Sequence, residues 1–358
     1  MTSEKIGENG LKGIYFRRFP ILDLPQHLFN AWLKITQENS AFHSPFFSPY
    51  FAQAVAEAVS GKCFVTVKMR RDSAVGFFPF QFTHILLGRA ERIGLHLSDH
   101  NGIITSEALI PGELARMLQV SGIHQYSFDH LHASQSALGL DTSFIREGTT
   151  ISLPDGFDAY WEEREKIVPK FAKDTLRCVQ KISKEKGELS LQFHSTDVND
   201  LDYLIEMKRL QYLSTGVPNS LENAWTKRCL SLLQATQGTE FRGVLSKVYA
   251  GNHFISSHFG LMSNGVLHYW FPVYDPTYSS YSPGRLLLYL LAKNAGPLGI
   301  RCIDNGMGTQ RHKSDFANKT YRLGVGSFRR NTPQCVMLRA QDYFQYRAQR
   351  NTLLREVR

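Results

Sequence analysis

The sequence predicts an α+β fold, and three observations carry that prediction. Residues 198–235 show two stretches of helical periodicity, and three runs of alternating apolar and polar residues follow them. Asn264-Gly265 joins the second and third runs, and Asn-Gly between alternating runs is a strong short hairpin signal. One more helix and a short apolar strand come after the hairpin. This mixed order speaks against a parallel, doubly wound sheet. The 358 residues suffice for about two domains.

In the first half, "GIYFRRF" reads as a strand and Pro25 to Gln37 as a helix. "SPYFAQAVAEAVSG" reads as a second helix that stops at Gly61. "CFVTVKMR" alternates, "RDSAVG" turns, and "FFPFQFTHILL" resumes an extended run; "QYSFDHL" and "GTTISLP" are further strands. Phe157 to Lys186 is a long charged helical pattern in which Pro169 marks a start or a kink. At about 100° per residue, Lys166, Lys170, Lys173, Arg177, Lys181 and Lys184 share an arc of about 80°. Ile167, Phe171, Cys178 and Ile182 form the flank to be buried. The basic arc is either a solvated face or a surface that meets an anionic ligand. "LSLQFHS" then reads as a strand, "VNDLDYLIEMKRLQYLSTG" and "ENAWTKRCLSLLQATQG" as helices, and "FRGVLSKVY", "HFISSHFGLM" and "VLHYWFPVY" as three antiparallel strands.

The net charge of +9 directs attention to anionic partners such as phosphorylated cofactors, nucleotides, lipid headgroups or nucleic acid, although basic charge also serves solubility. Five widely spaced cysteines without a Cys-x-x-Cys pair fit a reducing cytoplasm and argue against a thiolate zinc site. The polar N-terminus shows no export signal, and the apolar run Leu286 to Ala292 falls far short of a membrane span. No His-Glu-x-x-His is present. His96 and His100 lie in what reads as a turn, and His130 and His132 have no third ligand near them, so no metal is expected.

The stretch "YSSYSPGRLLLYLL" sets a turn cluster against an apolar helix. Ser282 suits the cap, Pro283 the first helical position, and Gly284 leaves the backbone open to a close approach. Arg285 adds a planar donor fork. Together these make either an ordinary helix start or one that holds an anion.

In order along the chain, "HSPFFSPYFAQAV" (His43 to Val55), "LSDHNGII" (Leu97 to Ile104), "VYDPTYSSYSPGRLLL" (Val273 to Leu288) and "IDNGMGTQRHKSDFAN" (Ile303 to Asn318) resemble motifs of the CelD/BcsL branch of the GNAT acetyltransferases. These cellulose-biosynthesis-associated proteins are related to the FemAB transferases. The resemblance covers roughly residues 40 to 330. Two departures stand out: Thr309-Gln310 replaces the usual acidic residue, and His312 replaces an aromatic before the lysine. The resemblance implies two GNAT-like halves, each a mixed, mostly antiparallel sheet flanked by helices: 1–150, an acyl-CoA-binding half at 151–333, and an Arg-rich tail at 334–358.

It implies acyl transfer from acetyl-CoA or another acyl-CoA, with Ser282, Pro283, Gly284, Arg285 and Leu286 on the pyrophosphate. The acceptor it implies is an amino sugar, or a lipid- or nucleotide-linked sugar, in exopolysaccharide or envelope polysaccharide assembly. That work is cytoplasmic or peripheral at the inner membrane. Such chemistry needs a neutral amine, a polarised carbonyl and a protonated leaving thiolate. His268 is the candidate base or a packed strand histidine. Tyr281, with Tyr278, is a candidate proton donor or a packing ring. Asp304 faces the site or caps the Asn305-Gly306 turn. Lys313 steadies the carbonyl or an acceptor phosphate, or is a surface lysine. Asp99, His100, Trp270 and Tyr274 are candidate acceptor contacts. Two rival readings stand beside this one. One is an aminoacyl-tRNA-dependent transferase with the basic helix on RNA. The other is a non-catalytic module whose Arg347, Arg350 and Arg355 meet an anionic membrane or a cyclic dinucleotide.

Overall fold

A computed structural model describes residues 13–110, 112–132, 135, 141–216, 219, 221–308 and 311–338, without the side chains of 141–145 and 311–312. In chain order the first elements are β1 (Ile14–Pro20), α1 (Gln26–Glu38), α2 (Pro49–Val59), β2 (Cys63–Arg70), β3 (Ser73–His84), β4 (Arg89–Arg92), β5 (Ile104–Thr105), α3 (Glu113–Val120), β6 (Gln125–His132) and β7 (Asp141–Ser152). There follow α4 (Gly156–Ile167), α5 (Pro169–Lys186), β8 (Leu189–Gln192), α6 (Val198–Thr215), α7 (Ala224–Ala235), β9 (Phe241–Ala250), β10 (His253–Ser263), β11 (Val266–Tyr274), α8 (Pro283–Lys293), β12 (Cys302–Met307), α9 (Arg311–Phe316) and β13 (Lys319–Arg329). The α+β class is as expected. Among the described residues, no helix is long and apolar enough to cross a membrane.

The chain forms two compact units that are not contiguous in sequence. One takes Met1–Trp32, Ser60–Phe144 and Gly324–Arg358; the other takes Leu33–Val59 and Ile145–Leu323. The division expected at 150/151 therefore falls inside β7. The segment carrying α2 counts with the later unit.

In the first unit, β1, β2, β3 and β4 are antiparallel neighbours, β6 runs parallel to β4, and the short β5 pairs with β3. Phe16, Phe78, Phe80, Tyr126 and Phe128 on the strands meet Met117 and Leu118 of α3 in one apolar cluster. Cys335 and Leu338 are also buried, and Cys335 Sγ donates to His124 O at 2.9 Å. The start of the expected tail thus packs into this unit. The remainder of the tail, including Arg347, Arg350 and Arg355, lies outside the described residues, as do Thr309 and Gln310.

In the second unit the strand order is β7-β12-β11-β10-β9-β8, antiparallel at every step except β12 with β11. Asn264 (φ 50°) and Gly265 (φ 75°) both take the left-handed conformation that a tight hairpin turn demands. Gly216 (φ 67°) ends α6, and the Asp197 side chain caps its start by accepting from Asn199 N. Helices α4, α5 and α8 bury Tyr160, Trp161, Phe171, Ile182 and Leu286–Leu291 against the sheet.

Three expectations change here. The pattern from Phe157 to Lys186 is two helices, because Pro169 occupies the first position of α5. Lys166 therefore leaves the basic arc, and Ile167, at the end of α4, is 62% exposed instead of buried. Lys170, Lys173, Arg177, Lys181 and Lys184 do share the exposed face of α5. Finally, "RDSAVG" turns only at Arg71-Asp72, and β13 was missed although "KTYRLGVGSF" alternates.

Candidate active site

Strands β11 and β12 run parallel from Val266↔Cys302 to His268↔Asp304, and there their pairing ends. Strand β11 continues to Tyr274 and β12 to Met307 without further partners in each other. The gap leaves strand backbone between them that is not tied across. A 3-10 turn, Pro276–Tyr281, then leads to α8. His268 and Asp304 stand side by side where that pairing ends.

Side chains alternate along β11. Leu267 and Tyr269 join the core of α4, α5 and α8, while His268 and Trp270 turn onto Phe46, at ring-centroid distances of 4.8 and 5.4 Å. His268 is fully buried, with Nδ1 3.3 Å from Asp304 Oδ2. The other carboxylate oxygen, Oδ1, accepts from Tyr321 OH at 2.8 Å and from Gly306 N at 2.8 Å. Of the two roles weighed for Asp304, the structure shows it holding the Asn305-Gly306 turn, and it also lies against the histidine. A buried histidine oriented by a carboxylate that is itself anchored is the arrangement a proton-transfer group needs. His258, stacked on Tyr269 at 4.9 Å, is held neutral; burial, with a smaller contribution from His268, drops its pKa to about 3.

Lys313 donates to the carbonyls of Asn305 (2.8 Å) and Met307 (3.2 Å), so it is a half-buried residue at the end of β12 and not a free surface lysine. Lys208 of α6 was not foreseen. It donates to Pro272 O on β11 and to Gln211 Oε1, both at 3.0 Å. Burial, together with the charge of Lys313, lowers its pKa to about 8. The signal was present in the sequence: Leu201, Leu204, Ile205 and Lys208 make one buried stripe, and a lysine stands on it. Tyr321 was missed because β13 was missed. Cys302, two residues before Asp304, is no thiolate, since burial pushes its thiol up to about 12.

At the α8 start, Pro283 takes the first helical position as expected. Ser282 precedes it, but in a left-handed conformation (φ 56°) with no side-chain capping bond. Its carbonyl instead accepts from Arg285 N and Leu286 N. A Cβ added at Gly284 would meet nothing within 4 Å, so this backbone is open. Leu286 is fully buried and serves the core. The Arg285 guanidinium lies 5.1 Å from the Phe171 ring, in a cleft of about 610 Å³ with Lys170, Asp174 and Asp315. Two carboxylates stand beside the two cations there, which tempers its pull on an anion.

Tyr281 gives its hydroxyl proton to Glu185, whose carboxylate raises the phenol above its ordinary range. That proton is committed to Glu185, which counts against a donor role. Tyr274 is 40% exposed and lines a separate cleft with α6. Asp99 and His100 belong to the first unit. Asp99 lies 3.9 Å from His130 Nε2, and the His100 carbonyl accepts from Ser98 Oγ.

Residues 169–314 match the family model described as an acetyltransferase (GNAT) domain. That span is the part of the chain similar to a GNAT acetyltransferase domain. Among curated proteins, none matches the sequence closely. Similar solved structures include FemX, at TM-score 0.60 and 10% identity over 87% of this chain and 96% of that one. Another is the C-terminal domain of a putative lysylphosphatidylglycerol synthetase from Agrobacterium fabrum (0.55, 8% identity, 87% and 94% covered). A third is a tandem GNAT protein from the clavulanic acid biosynthesis pathway (0.51, 12%, 88% and 98%). At these identities the likeness is one of fold. The matched span opens at Pro169 and closes just past Lys313, so it contains His268, Asp304 and the α8 start.

Proposed function

We propose that this chain transfers an acyl group from acyl-CoA to the amine of an amino sugar, free or lipid- or nucleotide-linked, in the assembly of an envelope or extracellular polysaccharide. The observation that carries the acyl-CoA reading is the end of β11–β12 pairing at His268↔Asp304, followed by the open α8 start. Backbone groups freed in that gap suit an extended pantetheine arm. The start of α8, open at Gly284, suits its pyrophosphate. His268 then takes the proton that the acceptor ammonium must lose, and Asp304, anchored by Tyr321, stabilises the imidazolium that forms. Positioning of amine against thioester supplies much of the remaining rate. The sugar acceptor is supported by the four motifs that resemble the CelD/BcsL branch.

Titration calorimetry with acetyl-CoA tests the donor. Wild-type protein binds it; Gly284→Trp fills the open approach and Arg285→Ala removes the donor fork, and each weakens binding by roughly tenfold or more. No binding of acetyl-CoA or longer acyl-CoAs by the wild type overturns the reading. An acceptor screen over amino sugars follows.

A second reading has one observation of its own. The exposed basic face of α5 adjoins the Arg285 cleft, through Lys170, in a fold similar to that of FemX. Aminoacyl-tRNA is the donor in that reading, and a steep loss of RNA binding with salt is its signature.

A further inference from the structure

Lys208 is a lysine placed where a helix ordinarily puts leucine. It is 8% exposed, and its ammonium donates only to uncharged acceptors, Pro272 O and Gln211 Oε1. The Tyr212 ring lies 5.2 Å from Nζ. Among the described residues no carboxylate pairs with it, and the nearby charge that acts on it is the like charge of Lys313. Desolvation and a neighbouring cation are the two conditions that activate a lysine amine as a nucleophile.

One of its two acceptors borders open space, and the other lies on strand backbone without a partner in β12. Pro272 lies on the stretch of β11 beyond His268, where pairing with β12 has ended. On the α6 side, Gln211, which accepts from Nζ, also lines an open cleft of about 440 Å³ with Met207, Leu210, Ser214, Val273 and Tyr274. A mostly apolar cleft with few polar groups is the usual setting of a small-molecule site.

We infer that Lys208 is an acyl-accepting nucleophile, and that the chain acylates this residue itself when loaded with acyl-CoA. This rests on the acyl-CoA reading above, which puts the thioester in the gap beside Pro272. In the step, the neutral Nζ attacks the thioester carbonyl, a C–N bond forms and the C–S bond breaks. Coenzyme A leaves as thiolate and takes up the proton that the nitrogen sheds, ending as the thiol. The product amide carries no charge, so the repulsion from Lys313 disappears with the reaction. A lysine lowered to about 8 is substantially neutral in mildly alkaline buffer, whereas an ordinary lysine is not.

The test is peptide mass mapping of the full chain after timed incubation with acetyl-CoA. Calorimetry of acetyl-CoA binding is run on the same preparation. The exposed Lys170, Lys173, Lys181 and Lys184 of α5 serve as internal comparators. Lys208 gains acetyl about tenfold or more faster than those four, and loses the advantage when the chain is unfolded in urea. The variant Lys208→Arg, which keeps a cation and donors at the site, removes the fast phase. Three results overturn the inference: labelling that is uniform over the lysines, labelling that persists equally in urea, or labelling by acetyl phosphate but not by acetyl-CoA. Binding of acetyl-CoA with Lys208 unmodified sinks this inference alone. Absence of both binding and modification sinks the acyl-CoA reading with it.

Discussion

His268 has no exposed surface, and its Nδ1 faces a carboxylate that Tyr321 and Gly306 hold in place. A strand that only needed to fill space would be better served by an apolar ring, because buried polar groups must be matched. His268→Gln is therefore expected to lower kcat by about 100-fold or more while leaving acetyl-CoA binding unchanged. Stopped-flow or steady-state turnover beside calorimetry checks the split. His258 makes a different statement, about stability. Its folded pKa of about 3 lies below the ordinary histidine value, so between those two values the unfolded chain binds more protons than the folded one. Stability then rises with pH across that window and is lost on acidification. Between about pH 7 and about pH 5 this one residue costs on the order of 2 kcal/mol. Urea unfolding at the two pH values should show a gentler slope for His258→Gln than for the wild type. An unchanged slope would mean that other groups set the acid sensitivity.

The β10–β11 pair shows how a strand irregularity shapes the site. The register shifts between Phe259 and Leu261, opposite the stretch that leads from His268 to Phe271. Gly260 sits at that shift, and a Cβ there would come within 2.3 Å of His268 O and 2.6 Å of His258 Nε2. Backbone cannot yield as a side-chain tip can. Gly260→Ala is expected to cost about 2 kcal/mol or more, and to damage turnover beyond what the stability loss explains. Thermal unfolding and turnover measured on the same sample separate the two effects. Helix α5 makes the complementary point. Its basic face was legible from spacing, yet its start at Pro169 removed Lys166 from the face, because a proline belongs in the first turn of a helix and not in the middle of one.

The whole chain interleaves its two units: residues 33–59 count with the later unit and residues 324–358 with the earlier one. This bears on any attempt to remove the Arg-rich tail. A cut after Thr332 also removes the buried Cys335 and Leu338, together with the Cys335–His124 bond. Loss of such burial is worth about 3 kcal/mol, so that truncation should lower the melting temperature and yield little soluble protein. A cut after Leu338 spares them and should retain acetyl-CoA binding. If the longer product loses binding while staying folded, the tail belongs to the functional machinery.

Much of the fold was written in local signals. Asn264-Gly265 set a hairpin, Gly216 ended α6, Pro283 began α8, and alternation on β11 put His268 and Trp270 on one face. Each depends on residues close in sequence, where backbone sterics and side-chain periodicity act directly. Partnership across the chain was not legible. Nothing local says that Tyr321 meets Asp304, that Glu185 claims the Tyr281 proton, or that Lys208 reaches Pro272 over 64 positions. Those pairs exist because the strands and helices stack in one order and not another. The sequence by itself determined most of the segments that are helix or strand, β13 and the division at Pro169 excepted, and that a helix starts at Pro283. Only the tertiary structure decided which of the charged and aromatic candidates are buried together, because desolvation and hydrogen bonding depend on neighbours distant in the chain.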